Sequence, residues 1–134
     1  MPSENLSNNP PDMVREDGTY PTAELRRPMI FVTAVQTRVS GVSGDNPGPD
    51  IRRNLDYFLE SIDIAQGGGP PSDLLVFHEF PITGFSEWTK EQHYNLALTL
   101  DGPELAEVAA KTKQYNCYIV FGGYFKDEEN WPRH

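Results

Sequence analysis

Asp73-Leu74-Leu75-Val76-Phe77-His78-Glu79-Phe80-Pro81-Ile82-Thr83-Gly84-Phe85 is the stretch whose reading decides the fold. Leu74 to Phe77 is a continuous apolar run, the pattern of a strand covered on both faces in the parallel sheet of an α/β protein. The run closes on one acid, Glu79, and then breaks at Pro81 and Gly84. Ligands of such sheets collect beyond the carboxyl ends of the strands. A carboxylate placed there is open to a substrate while apolar walls flank it, and such surroundings can raise its proton affinity toward that of a general base. Glu79 is therefore the candidate catalytic residue. The plainer alternative is an acid that ends a strand and pairs with a nearby base.

Working outward, residues 29–36 (MIFVTAVQ) form a β-branched, mostly apolar run that reads as a first strand, central in the sheet. Residues 40–49 are dense in Ser, Gly, Asn and Pro and read as a loop. A helix is expected from Asp50, a good N-cap residue type, with Ile51, Leu55, Phe58, Leu59, Ile62 and Ala65 forming one apolar stripe. Gln66 and the run Gly67-Gly68-Gly69-Pro70-Pro71 end it. On the other side of Glu79, residues 88–96 suggest a short helix over the sheet edge. Asp101-Gly102-Pro103-Glu104 starts another, with Leu105, Val108, Ala109 and Thr112 as its buried face. Residues 117–121 (CYIVF) form a third strand, ending in Gly122-Gly123. These glycines allow either a close backbone approach or a plain turn. Strands alternating with helices imply βαβ crossovers and a largely parallel sheet, an α/β fold.

Composition narrows the function. The chain has 134 residues, net charge −9 and a pI of about 4.6, so it offers no basic footprint for nucleic acid or an anionic membrane. No apolar run reaches the length that spans a bilayer. The N-terminus has neither a basic nor an apolar leader region, and the single Cys117 fits a reducing compartment, so a cytoplasmic location is expected. Residues 1–28 are polar and Pro-rich without periodicity and read as a flexible tail. His78-Glu79 lacks the second histidine of a zinc helix, and the triple glycine lacks the Gly-Lys-Ser/Thr ending of a phosphate loop, so no metal is expected. Phe85 and Trp88 are candidates for a substrate-pocket wall, with ordinary packing equally open for each.

Three separated blocks then line up. Val35-Gln36 closes the first strand, with Asn54 in the following helix. Asp73 to Glu79 comes next, with Thr83-Gly84-Phe85 behind it. Last, Gly102-Pro103-Glu104 leads through a helix to Cys117-Tyr118-Ile119-Val120-Phe121-Gly122-Gly123-Tyr124. Their order and spacing resemble the amino-terminal part of the nitrilase superfamily, the carbon–nitrogen hydrolases, from about Met29 to the end of the chain. The resemblance implies one half of a four-layer α-β-β-α sandwich, with residues 29–134 an incomplete carbon–nitrogen hydrolase domain. It implies hydrolysis of a non-peptide carbon–nitrogen bond in a small-molecule amide or nitrile, with an amide favoured as the commonest chemistry of the family and a carbamoyl group also open. It further implies no cofactor, in an enzyme that forms a homo-oligomer when full length.

In that family a Glu-Lys-Cys triad does the chemistry, and the resemblance makes Glu79 its glutamate, the base that takes the thiol proton. The lysine and cysteine would fall in blocks after Tyr124. Lys111, Lys113 and Lys126 are outside the lysine motif, and Cys117 reads as an inert core thiol. One residue departs from the pattern: His78 stands where the family usually has Pro. The alternative to an enzyme is a non-catalytic truncated fragment that docks to a full-length relative through an uncovered sheet face.

Overall fold

The computed structural model describes residues 28–127, and the tail expected over residues 1–28 lies outside the described residues except for Pro28. Element order is β1 (Val32–Val35), α1 (Pro47–Gly67), β2 (Leu74–Phe77), α2 (Lys90–Leu96), α3 (Pro103–Tyr115) and β3 (Tyr118–Val120). The three described strands form one parallel sheet in the order β1-β2-β3, so β2, which pairs on both sides, is central, and the first strand, expected there, pairs on one side only. The fold is α/β.

Strand β2 matches its apolar run, whereas β1 and β3 are shorter than theirs. Met29, Ile30 and Phe31 are exposed, and β1 begins only at Val32. Phe31 is tied instead to the entrance of β2: its amide donates to Asp73 Oδ2 at 2.9 Å, and its carbonyl accepts from the Asp73 and Leu74 amides at 2.8 and 3.1 Å.

Side chains alternate across the sheet, as the pleat requires. Thr33, Val35, Leu75, Phe77 and Ile119 lie toward the helices, where Leu75 and Phe77 are buried. Against them α1 presents Leu55, Phe58 and Ile62, all nearly inaccessible. The Phe58 ring meets Phe77 edge-on at 4.5 Å and Phe121 at 5.0 Å. Each such side chain contributes on the order of 1.5–3 kcal/mol by leaving water. The other face carries two apolar rows, Val32-Leu74-Tyr118 and Ala34-Val76-Val120. There Val32, Tyr118 and Val120 are 53, 78 and 53% exposed. Among the described residues only one face of the sheet is covered, contrary to the reading of β2 as buried on both sides.

Two helix details differ from expectation. Helix α1 starts at Pro47, within the first turn where a missing amide proton costs nothing, and Asn46 rather than Asp50 is its N-cap. Asp50 sits inside that turn, where its carboxylate accepts from the Ser43 amide at 2.8 Å and from Arg53 at 2.7 Å. In α3 only Val108 is buried; Leu105 and Thr112 are half-buried and Ala109 is exposed, because α3 packs on the flank of α1 rather than over the sheet centre. Polar contacts fasten that flank. Lys111 Nζ reaches both Asp63 oxygens at 2.6 and 2.7 Å, Tyr115 donates to Asp63 Oδ1 at 2.7 Å, and Arg52 of α1 bridges Asp56 and Glu107. The short helix α2 has a reciprocal cap: the Gln92 amide donates to Thr89 Oγ1, and the Thr89 amide donates to the Gln92 side chain. No helix among the described residues is long and apolar enough to cross a membrane.

Candidate active site

Glu79 lies two residues past the end of the central strand, on the carboxyl edge of the sheet, and it is exposed. The chain on either side of it is immobilised by neighbours. Gly122, just past β3, runs against it: a Cβ there would lie 2.7 Å from the Glu79 carbonyl oxygen and 3.1 Å from its Cα. Only a residue without a side chain fits, so the close-approach reading of this glycine holds.

The loop after Glu79 is buried from Pro81 through Gly84. Gly84 has φ +65°, and a Cβ on it would fall 2.4 Å from the Ser40 carbonyl oxygen. Asn54, 3% exposed in the middle of α1, donates from Nδ2 to the Ser40 and Ile82 carbonyls at 3.2 and 3.1 Å. The loop before α1, the loop after Glu79 and α1 itself thus share one buried polar tie. Unpaired, those carbonyls would each cost about 1–3 kcal/mol. Trp88 adds a second link, its indole N–H donating to the Val42 carbonyl at 3.1 Å.

His78 precedes Glu79, and both of its ring nitrogens are engaged. Nε2 lies 2.6 Å from Thr37 Oγ1, just past β1, and Nδ1 accepts from the Phe80 amide at 3.3 Å. Burial holds its pKa below the ordinary 6.5.

Aromatic rings wall one side. Tyr124 stacks on Phe80 at 5.1 Å and meets His93 and Trp88 edge-on at 5.0 and 6.0 Å. Burial, with the Glu79 charge in addition, pushes the Tyr124 hydroxyl above its usual 10.0. Phe85 rests on Phe80 at 5.3 Å with 62% of its surface exposed, whereas Trp88 is half-buried with its polar end satisfied. Tyr124, which directly follows Gly122-Gly123, adds to the candidates Glu79, Phe85 and Trp88 a ring that sequence reasoning missed.

The other triad residue types do not converge here. Parallel register sets Leu74 against Tyr118, so Cys117 is level with Asp73, at the opposite edge of the sheet from Glu79. Along β2 that separation is on the order of 20 Å at about 3.3 Å per residue. Cys117 is buried. Lys111 is held by Asp63 between α1 and α3, and Lys126 lies over the Tyr94 ring at 5.3 Å. A groove of about 350 Å³ between the starts of α1 and α3, lined in part by Arg52, Thr99 and Glu104, does not include Glu79. No group of three or more His, Cys, Asp or Glu among the described residues is placed to hold a metal ion.

Residues 31–131 match the family model described as carbon-nitrogen hydrolase, which covers more than half of the chain. No curated protein matches it.

Proposed function

The chain belongs to the carbon–nitrogen hydrolase family, and from that premise we propose that Glu79 is the general base of a Glu-Lys-Cys triad that hydrolyses a small amide. The observation that carries this reading is the placement of Glu79: exposed, on the carboxyl edge of the central strand, and pinned by Gly122. In this reading the lysine and the nucleophilic cysteine are supplied by chain beyond these 134 residues, since their one cysteine, Cys117, is buried at the opposite edge of the sheet and Lys111 is held by Asp63.

In this reaction Glu79 takes the thiol proton as sulfur attacks the carbonyl carbon, because the thiolate is the effective nucleophile. The lysine stabilises the oxyanion. The proton passes to the leaving nitrogen, the carbon–nitrogen bond breaks, and an acyl thioester remains. Water, deprotonated by Glu79, then releases the acid. Phe85, exposed beside the site, supplies an apolar wall for the acyl group, and Trp88 supports that wall from behind. Residues 1–134 alone are expected to be inactive, so the test is hydrolysis of small amides by a full-length protein that carries the lysine and cysteine blocks, and by its Glu79→Gln variant. A loss of roughly 10²–10⁴-fold is expected for a missing base, and an undiminished variant would sink the assignment.

The apolar rows through Tyr118 and Val120 favour a further element of the reading. A patch of that kind needs a cover, and we assign it a second sheet, giving a four-layer α-β-β-α sandwich. If the second sheet comes from another molecule, the chain is a non-catalytic fragment docked to a longer relative. An intact mass of the native protein separates the two: a species much heavier than 15.1 kDa supports the enzyme, and one near 15.1 kDa supports the docked fragment.

A further inference from the structure

We infer that His78 is a positioning residue, a neutral clamp with its proton on Nε2 that joins the ends of β1 and β2 and fixes the turn presenting Glu79. The role rests on Glu79 being the base, but the geometry of the clamp does not. The Phe80 amide can only donate, so the Nδ1 it approaches at 3.3 Å must carry a lone pair. A neutral imidazole with a bare Nδ1 has its proton on Nε2. Nε2 then donates to Thr37 Oγ1 at 2.6 Å, and the threonine is the acceptor.

The consequences are local and directional. The bond to Phe80 spans Glu79 from the residue before it to the residue after it, closing a turn in the manner of an Asx side chain that bonds its own backbone two residues on. The bond to Thr37 anchors that turn to the neighbouring strand, past the paired residues Val35 and Phe77. Gly122 meets Glu79 from the β3 side. The base is thus held from both flanking strands, by a side chain on one and by the absence of a side chain on the other. Burial of the ring, which holds its pKa below the ordinary 6.5, favours the neutral form in the same direction.

The experiment reads the ring and the turn directly. Imidazole nitrogen shifts in ¹⁵N-labelled protein at neutral pH should show a protonated Nε2 and a bare Nδ1. Exchange of the Phe80 amide should quicken about tenfold in His78→Ala, the scale of one net hydrogen bond. It should recover most of the way in His78→Asn, whose carbonyl can accept from the same amide. Should His78→Ala fail to fold, Thr37→Val removes only the Nε2 acceptor: Nδ1 should stay bare, and exchange of the Phe80 amide should quicken because the turn is no longer anchored to β1. A proton on Nδ1, or unchanged exchange in His78→Ala, would overturn the clamp. In amide hydrolysis, His78→Ala should lose kcat with KM retained, and His78→Asn should regain part of it. A full-length wild-type protein, with its lysine and cysteine blocks, that lacked amidase activity would overturn the proposed reaction, while the nitrogen shifts and amide exchange still decide the clamp.

Discussion

Glu79 and Gly122 are in backbone contact across the carboxyl edge of the sheet, close enough that a single methyl on Gly122 would lie 2.7 Å from the Glu79 carbonyl oxygen. The obstruction is backbone, and it cannot rotate away. Gly122→Ala should therefore shift Glu79 as well as strain the fold, costing about 1–3 kcal/mol as an overpacked site does. Denaturant unfolding measures the cost. Activity should fall further than that loss of folded protein explains, and a variant that is destabilised yet fully active would separate Gly122 from the site.

Asn54 holds two loop carbonyls from the centre of α1, and no other described side chain is bonded to either. Asn54→Ala would leave the buried Ile82 carbonyl and the half-buried Ser40 carbonyl without this donor, so a destabilisation of about 1–3 kcal/mol is expected in urea unfolding. Exchange of amides at residues 82–84 should speed up before global unfolding. Loss confined to α1 would show that the loop after Glu79 does not depend on this tie.

The order of elements and the place of Glu79 were legible because they are local: an apolar run, an acid, a proline and a glycine in one stretch. Element ends were not. The run from Met29 looks like strand, but pairing begins at Val32, where β2 supplies partners. Asp50 looks like a cap, yet Pro47 and Gly48 already lie in the helix, and the carboxylate serves Ser43 instead. Ala109 fits an apolar period that α3 leaves open to solvent, because its packing partner is the edge of α1. His78 was visible only as a departure from a family pattern. Its partner Thr37 is 41 residues away and becomes a neighbour only once β1 and β2 pair in parallel. Tyr124 is similar: its position under Phe80 and near Glu79 depends on the return of β3.

The Asp63-Lys111-Tyr115 cluster predicts an acid-sensitive link between α1 and α3. Burial alone would raise the Asp63 carboxyl, but hydrogen bonds from Lys111 and Tyr115 and the Lys111 charge outweigh it, leaving the pKa below 3.8. A carboxylate depressed in the folded state adds stability that is complete above its unfolded pKa and disappears as pH falls through the folded value. The contribution should thus be intact near neutrality and decline only below about pH 3.8. Because Asp63 is 43% exposed, solvent screening keeps the coupling to about 1 kcal/mol or less. A double-mutant cycle with Asp63→Asn and Lys111→Met, run at neutral pH and again in acid, should show coupling in the first and little in the second. Equal coupling at both would mean that packing, not charge, joins the helices.

The open sheet face yields the sharpest test of architecture. Val120 and Tyr118 point away from the helices and are more than half exposed among the described residues. On a surface that stays open to water, Val120→Lys should change stability by no more than about 0.5 kcal/mol. Beneath a second sheet the same ammonium would be buried without a partner, and the penalty would be several kcal/mol. The sandwich reading predicts the large cost in the native protein, together with a similar cost for Ala34→Lys, which lies in the same row across β2. An apolar row of this kind left bare is also an association surface. If both lysine variants are tolerated and the protein remains monodisperse, the face is solvent in the native molecule, and neither a second sheet nor a docked relative covers it.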